Sequence, residues 1–290
     1  MKKPPKRQRP ASCKQDRRKP LPAKREFKVL ESGKEAILED LIRIKDMLRA
    51  IQLVGDRGFR RSVNGLIGKL EAVTCGDLSD VTLASKIVMR KIRKSWVRHV
   101  VKVFRACKGY PISFVTLLPR SLELPENGLE DFDPEAANNA LRSYLNRRGI
   151  NKCKGWVIGA LHGEFDGIKK VWRIHWHLLV CGEMIPVFDG LRTEADFKSK
   201  KGEAPRVRMT RKPITDIRRL ASYLLQSWWP DRPKGKFASH NRECRGSIRF
   251  RIKEPFQTRW LLWIDKLKLS DLTLLIGVRR TPSGFKITKL

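Results

Sequence analysis

Acidic residues are scarce in this chain of 290 residues: 30 Asp and Glu stand against 63 Lys and Arg, for a net charge of +33. So lopsided a balance disfavours a compact neutral globule and implies a polyanionic partner, most simply nucleic acid. An anionic membrane surface is the competing reading. The sequence has no apolar run of about 18 residues, as a spanning helix would need, and no signal-peptide core. The expectation is therefore a soluble, cytoplasmic protein without a membrane partner. The six cysteines, at 13, 75, 107, 153, 181 and 244, include no C-x-x-C pair. This argues against a zinc ribbon and fits ordinary thiols in a reducing compartment. Histidine and tyrosine are also rare, with five and three copies, so imidazole or phenol chemistry has few residues to draw on.

What the sequence does have is a dense apolar run, Trp172-Arg-Ile-His-Trp-His-Leu-Leu-Val180, which reads as a buried strand. Residues two apart in a strand share a face, so His175 and His177 project side by side. Neutral imidazoles so placed can share one divalent cation; the alternative is a pair of histidines on a solvated face. Three further pieces surround this strand. Pro111–Pro119 reads as a strand, and Gly155–Phe165 as the hairpin partner, joined through Asp166-Gly167. Val207–Asp216 leads into a helix holding Ala221-Ser-Tyr-Leu-Leu-Gln226.

This order resembles the HUH endonuclease superfamily, in particular the replication initiators of rolling-circle plasmids. That family has an "FVTLT"-like strand, a His-hydrophobic-His strand and then a helix with a nucleophilic tyrosine. The resemblance covers roughly residues 110–230. It implies a palm-like, ferredoxin-related sheet and a metal-dependent transesterification that nicks and rejoins single-stranded or hairpin DNA at an origin. Host replication proteins are further partners on that reading, and Mg²⁺ or Mn²⁺ is the implied cofactor. An acidic third ligand is common in the family, which makes Glu164 the preferred candidate beside His175 and His177. His162, on the same strand face, is the alternative.

The nucleophile has three candidates. Tyr110 lies in a Lys-Gly-Tyr-Pro turn, and Tyr144 borders an apolar stripe with Leu141 and Leu145. In the last helix, read over 216–229, Ile217, Ala221, Leu224 and Trp228 make a stripe. Tyr223 falls roughly 130° from its centre at 100° per residue. It therefore points away from the helix's own core face, beside Arg219 and Gln226. The family often reads Tyr-x-x-Lys, whereas position 226 here is Gln, which hydrogen-bonds but carries no charge. Arg219 or Lys212 is positioned to compensate. A transposase of the same superfamily would share this chemistry. A nucleic-acid-binding protein that kept the fold without catalysis is the rival of another class.

The rest of the chain divides by composition. Residues 1–27 hold 11 Lys or Arg, five Pro and two acids, which reads as a disordered basic tail contacting phosphates. Residues 30–108 read as a helical module. Its first helix is announced by a Ser32/Glu35 capping box and has Ile37, Leu38, Leu41, Ile42, Leu48 and Ile51 on one face. A second helix spans about 59–73. A third follows Ser79, with Lys86, Arg90, Lys91, Arg93, Lys94 and Arg98 on a face read as DNA-facing. The core is placed at 109–230, including a helix from Asp133-Pro134 to about Arg148 and an irregular insertion at 183–204. Residues 231–290 form an extension, with a helix at about 255–268 and strands at about 272–279 and 284–288. Strands mixed with segregated helices predict an α+β fold with an antiparallel sheet, preceded by the helical module.

Overall fold

The computed structural model describes residues 29–201, 203–210, 212–232 and 249–288, and segments 234–236 and 243–245 by backbone alone. The basic tail expected at 1–27 lies outside the described residues. The fold is α+β, with helices leading into a mostly antiparallel sheet.

Three helices open it: α1 (Gly33–Val54), α2 (Arg57–Thr74) and α3 (Lys86–Ala106). The Ser32/Glu35 capping box forms, with Ser32 N–H donating to Glu35 at 2.7 Å and Glu35 N–H to the Ser32 hydroxyl at 3.2 Å. The buried face of α1 is not the expected one. Ala36, Asp40, Arg43, Met47 and Ala50 turn inward, while Ile37, Leu38, Leu41, Ile42 and Leu48 are exposed and Ile51 is half-buried. The small Ala36 and Ala50 let neighbouring helices approach, and the charges of Asp40 and Arg43 are satisfied by groups far along the chain. The basic face of α3 also splits. Lys91, Lys94 and Arg98 are exposed, but Arg93 is buried and Lys86 and Arg90 are half-buried. Lys86 and Arg93 pair with Glu31, at 3.3 and 2.7 Å.

The core elements follow in the expected order: β1 (Ile112–Leu117), a short β2 (Glu123–Pro125), α4 (Pro134–Arg147), β3 (Gly155–Asp166) and β4 (Val171–Gly182). Asp133 caps α4, with Pro134 at its first turn. The segment expected to be irregular contains α5 (Met184–Gly190) and a 3₁₀ turn at Leu191–Thr193. Met184, Phe188, Leu191 and Phe197 are the side chains it buries. Then come β5 (Val207–Met209) and α6 (Ile217–Leu224). The tyrosine helix is shorter than the spacing predicts: it ends at Leu224, and Leu225 leaves helical geometry at φ −125°, ψ 53°. Trp228 therefore falls beyond it.

The remaining strands are β6 (Pro230–Asp231), the paired β7 (Lys234–Lys236) and β8 (Glu243–Arg245), and β9 (Phe250–Arg251). They are followed by α7 (Phe256–Asp265), α8 (Leu269–Leu272), β10 (Thr273–Ile276), β11 (Val278–Thr281) and β12 (Gly284–Ile287). The stretch expected as one strand over 272–279 breaks at Gly277, whose φ of +65° lies in the left-handed region. Its first half, β10, pairs with β3 in the central sheet, and its second half pairs with β12.

The central sheet runs β5-β1-β4-β3-β6-β9, with β10 also on β3 and β2 on β4. All its pairings are antiparallel except β3 with β6. One face of the β3–β4 hairpin is aromatic. Phe165 packs on Trp172 and Phe256, and the Trp176 indole N–H donates to Asn138 of α4 at 2.8 Å. The other face is polar, and α6 lies on it. The helical module, the sheet and the C-terminal elements share one continuous hydrophobic core.

Candidate functional site

Strand register builds the polar face. Opposite His175 on β4 stands His162 on β3; Glu164 stands opposite Arg173, and Thr116 of β1 opposite His177. Because β side chains alternate, these six all project to one side. All are buried except Thr116, which is half-buried. Gly163, between His162 and Glu164, faces the other way. A Cβ there would lie 2.4 Å from the Trp229 indole, so only glycine admits that ring.

The imidazoles cluster closely. Ring centroids are 4.6 Å apart for His162–His177, 4.7 Å for His175–His177 and 6.1 Å for His162–His175. Their hydrogen bonds set the tautomers. His175 Nδ1 meets the Arg173 carbonyl at 3.1 Å; a carbonyl only accepts, so Nδ1 carries the hydrogen, and in the neutral ring Nε2 is the lone-pair nitrogen. His162 Nε2 meets the Leu224 carbonyl at 2.8 Å, so there Nε2 carries the hydrogen and Nδ1 is bare. His177 Nδ1 contacts the Thr116 hydroxyl at 3.0 Å, and its Nε2 lies 3.2 Å from Nε2 of His175. Either His177 donates to His175, or both Nε2 atoms present lone pairs to a shared cation while Nδ1–H donates to Thr116. The second arrangement is the usual one for metal-bound histidine, with the far nitrogen anchored by an oxygen.

Burial, reinforced by His175, pushes His162 down to about 3; the bond to Leu224 opposes this. His177 is held well below its ordinary value, first by burial and then by His162 and His175. Both rings are therefore neutral at physiological pH, as a ligand must be.

The C-terminal turn of α6 places Tyr223 over these rings. Its ring is 4.7 Å from His177 and 5.9 Å from His162, stacked on the latter, and 6.0 Å from Phe114. The His162–Leu224 bond ties the end of α6 to β3, satisfying one of the carbonyls a helix end leaves open. One cleft is lined by His162, Gly163, Glu164, His175, His177, Tyr223, Gln226, Trp228, Pro230, Arg232 and Arg249. It thus gathers every expected site residue except Arg219, which is exposed on α6 and outside the lining. Lys212 is also exposed. Of the other tyrosines, Tyr110 is exposed. Tyr144 packs against Phe197 and lies under the Arg147 guanidinium, 4.6 Å from its centroid.

Sequence reasoning missed Arg232, Arg249 and the lining role of Trp228. Arg232 arrives because β6 pairs with β3 and Arg232 N–H donates to the Phe165 carbonyl at 2.8 Å. Its guanidinium lies 3.4 Å from Glu164. Arg249 lies over the Trp228 ring, 6.0 Å from the centroid. Both arginines reach the cleft through tertiary pairing, which no local pattern announces.

For a divalent cation, the convergent Nε2 atoms of His175 and His177 are the donor pair. Among the described residues, no set of three His, Cys, Asp or Glu side chains is arranged to hold a metal ion. The two candidate third donors are engaged elsewhere. His162 holds Leu224, leaving Nδ1 bare, and Glu164 lies between Arg173 at 3.9 Å and Arg232 at 3.4 Å. Arg173 in turn bonds Asp166. Chemically, the cleft offers a phenol, two neighbouring imidazole nitrogens and guanidinium groups at one polar surface, a combination suited to a phosphate ester.

No protein-family model, curated protein or solved structure matches the chain. No helix among the described residues is long and apolar enough to cross a membrane.

Proposed function

We propose that the chain is a metal-dependent, HUH-type DNA nicking and joining enzyme that initiates rolling-circle plasmid replication on single-stranded or hairpin origin DNA. The observation that carries this reading is the seating of Tyr223 on His162 and His177, with the His175–His177 pair in the same cleft. The +33 charge supports a DNA partner.

In the proposed reaction the Tyr223 oxygen attacks the phosphorus of a DNA phosphodiester. The bond to the 3′ oxygen breaks, and the leaving strand departs as a 3′ hydroxyl after taking up a proton. The 5′ phosphate remains esterified to Tyr223, and attack by a 3′ hydroxyl reverses the step and joins strands. A divalent cation on His175 and His177 would offset the negative charge that grows on the phosphate oxygens. A nitrogen-rich donor set suits Mn²⁺ better than Mg²⁺. Glu164 or a reoriented His162 would complete the set. Arg232 and Arg249, which line the same cleft, would hold the nonbridging oxygens, a role that needs no charge at Gln226. Trp228 offers a face on which a base can stack.

Tyr223→Phe removes one oxygen. Cleavage of an origin-bearing oligonucleotide and the covalent protein–DNA adduct should both disappear, while binding to the same DNA changes less than about threefold. An adduct mapped by mass spectrometry to Tyr144 or Tyr110, or nicking that persists in the variant, overturns the assignment.

A further inference from the structure

The exposed face of α1 has a second regularity. Ile37, Leu41, Ile44, Leu48 and Ile51 recur at intervals of four, three, four and three residues, the 3.5-residue period of a helix-pairing seam. Ile37 is 42% exposed and Leu41 and Leu48 are each 50% exposed; Ile44 and Ile51 are half-buried. Leu38 and Ile42, at 58% and 36%, widen the patch. The face that α1 buries, through Ala36, Asp40, Arg43, Met47 and Ala50, is a different one. Ile44 and Ile51 rest partly against the chain's own core, and the apolar surface left in water beside them, at Ile37, Leu38, Leu41, Ile42 and Leu48, marks an interaction surface.

Two features decide what covers it. The chain outside the described residues that ends nearest α1 is 1–28. It is rich in Lys, Arg and Pro, with Met1, Leu21 and Phe27 as its only large apolar side chains, too few to fill the seam. The seam is also nearly palindromic: Ile, Leu, Ile, Leu, Ile read the same in both directions. A surface that pairs with itself about a two-fold axis needs that property, since residue i must meet j as j meets i.

We propose that α1 is a self-association helix, pairing antiparallel with α1 of a second copy of this chain through Ile37, Leu41, Ile44, Leu48 and Ile51. Ile44 sits at the two-fold axis, Leu41 meets Leu48 of the second copy, and Ile37 meets its Ile51. The proposal is independent of the nicking chemistry.

The test is the molar mass of the nucleic-acid-free full chain, by light scattering over about 1–100 µM. It should be run in about 0.5 M salt, to screen the like charges. Twice the chain mass of 33.6 kDa is expected. Leu41→Glu/Leu48→Glu should return it to a single chain mass with the circular dichroism spectrum retained. In the same salt, Ile44→Cys should give a disulfide-linked dimer on mild oxidation beyond any formed by wild type. A wild-type monomer throughout the range overturns the proposal and assigns the face to another partner. So does a dimer that the double variant leaves intact. If the double variant fails to fold, the Ile44→Cys yield decides: no increase over wild type overturns the proposal.

Discussion

Helix α6 separates two clusters of polar side chains, and the two are satisfied differently. On the side of the helical module, Arg93 bonds the Ser222 hydroxyl and Glu31, each at 2.7 Å, and Lys86 bonds the Ser227 hydroxyl at 2.6 Å. Arg43 reaches the carbonyls of Ala84 and Ser227. Asp40 accepts from the Ser85 hydroxyl and from the N–H groups of Lys86 and Ile87, so it caps α3. Every charge in this cluster meets an opposite charge or a fixed dipole. On the sheet side, three imidazoles crowd together and the His175 and His177 Nε2 atoms lie 3.2 Å apart with no carboxylate between them. The first cluster spends its charges in joining the helical module to α6 and the turn after it; the second sets imidazole nitrogens against one another beside Tyr223. Buried polar groups paired with opposite charges act as structure, whereas buried imidazoles with depressed pKa values in a cleft mark a candidate site.

Substituting one member of each cluster tests that contrast most strongly. On the proposed reading, His177→Ala removes a cation donor, and single-turnover nicking should fall at least about 10³-fold. Chelation of wild type should reproduce the loss and Mn²⁺ should reverse it, while DNA binding, spread over many basic side chains, persists. Full nicking in a chelator would remove the cation from the mechanism.

Arg93→Ala should do the reverse. It takes the guanidinium from Ser222, whose hydroxyl keeps its bond to the Val29 carbonyl, and one cation from Glu31, a loss of about 3 kcal/mol in unfolding free energy. Below its lowered Tm the variant should keep more than a tenth of wild-type cleavage. A variant with unchanged Tm and no cleavage would move Arg93 from the scaffold into the site.

The two clusters were not equally legible in the sequence. The histidine pair stood out because strand periodicity is local: residues 175 and 177 share a face wherever the strand goes. On the partner strand the resemblance singled out Glu164, and strand periodicity put His162 on the same face; Tyr223 came from the resemblance and from its angle to the apolar stripe of a helix read over 216–229. The network around Arg93 was hidden, because its partners lie up to 134 residues away. For the same reason the face of α1 was misread. Asp40 and Arg43 look like solvent residues until Ser85, Ala84 and Ser227 are brought to them, whereas Ile37, Leu41 and Leu48 look like core. The α+β class and the strand order needed only local patterns. The joining of β10 to β3, and the arrival of Arg232 in the cleft, needed the tertiary fold.

The smallest effect concerns pH and isolates Lys86. Its ammonium is 12% exposed, and burial pushes its pKa down to about 8, with Arg93 and Arg43 adding to the depression and Glu31 opposing it. An unfolded lysine titrates near 10.4. Between these values the folded chain has released a proton that the unfolded chain still holds, so unfolding takes a proton up. Stability should therefore rise with pH through this window, by at most about 1.4 kcal/mol per pH unit, and below it the cost of the buried Lys86 charge should be constant. Lys86→Met removes the titrating group and leaves Glu31 paired with Arg93. Urea unfolding of both proteins from pH 7 to 10 cancels the other titrations in the difference. The wild-type advantage should be flat up to about pH 8 and grow above it. A difference independent of pH would mean that Lys86 keeps its proton in the fold, and that this cluster tolerates its charges as fully as a surface would.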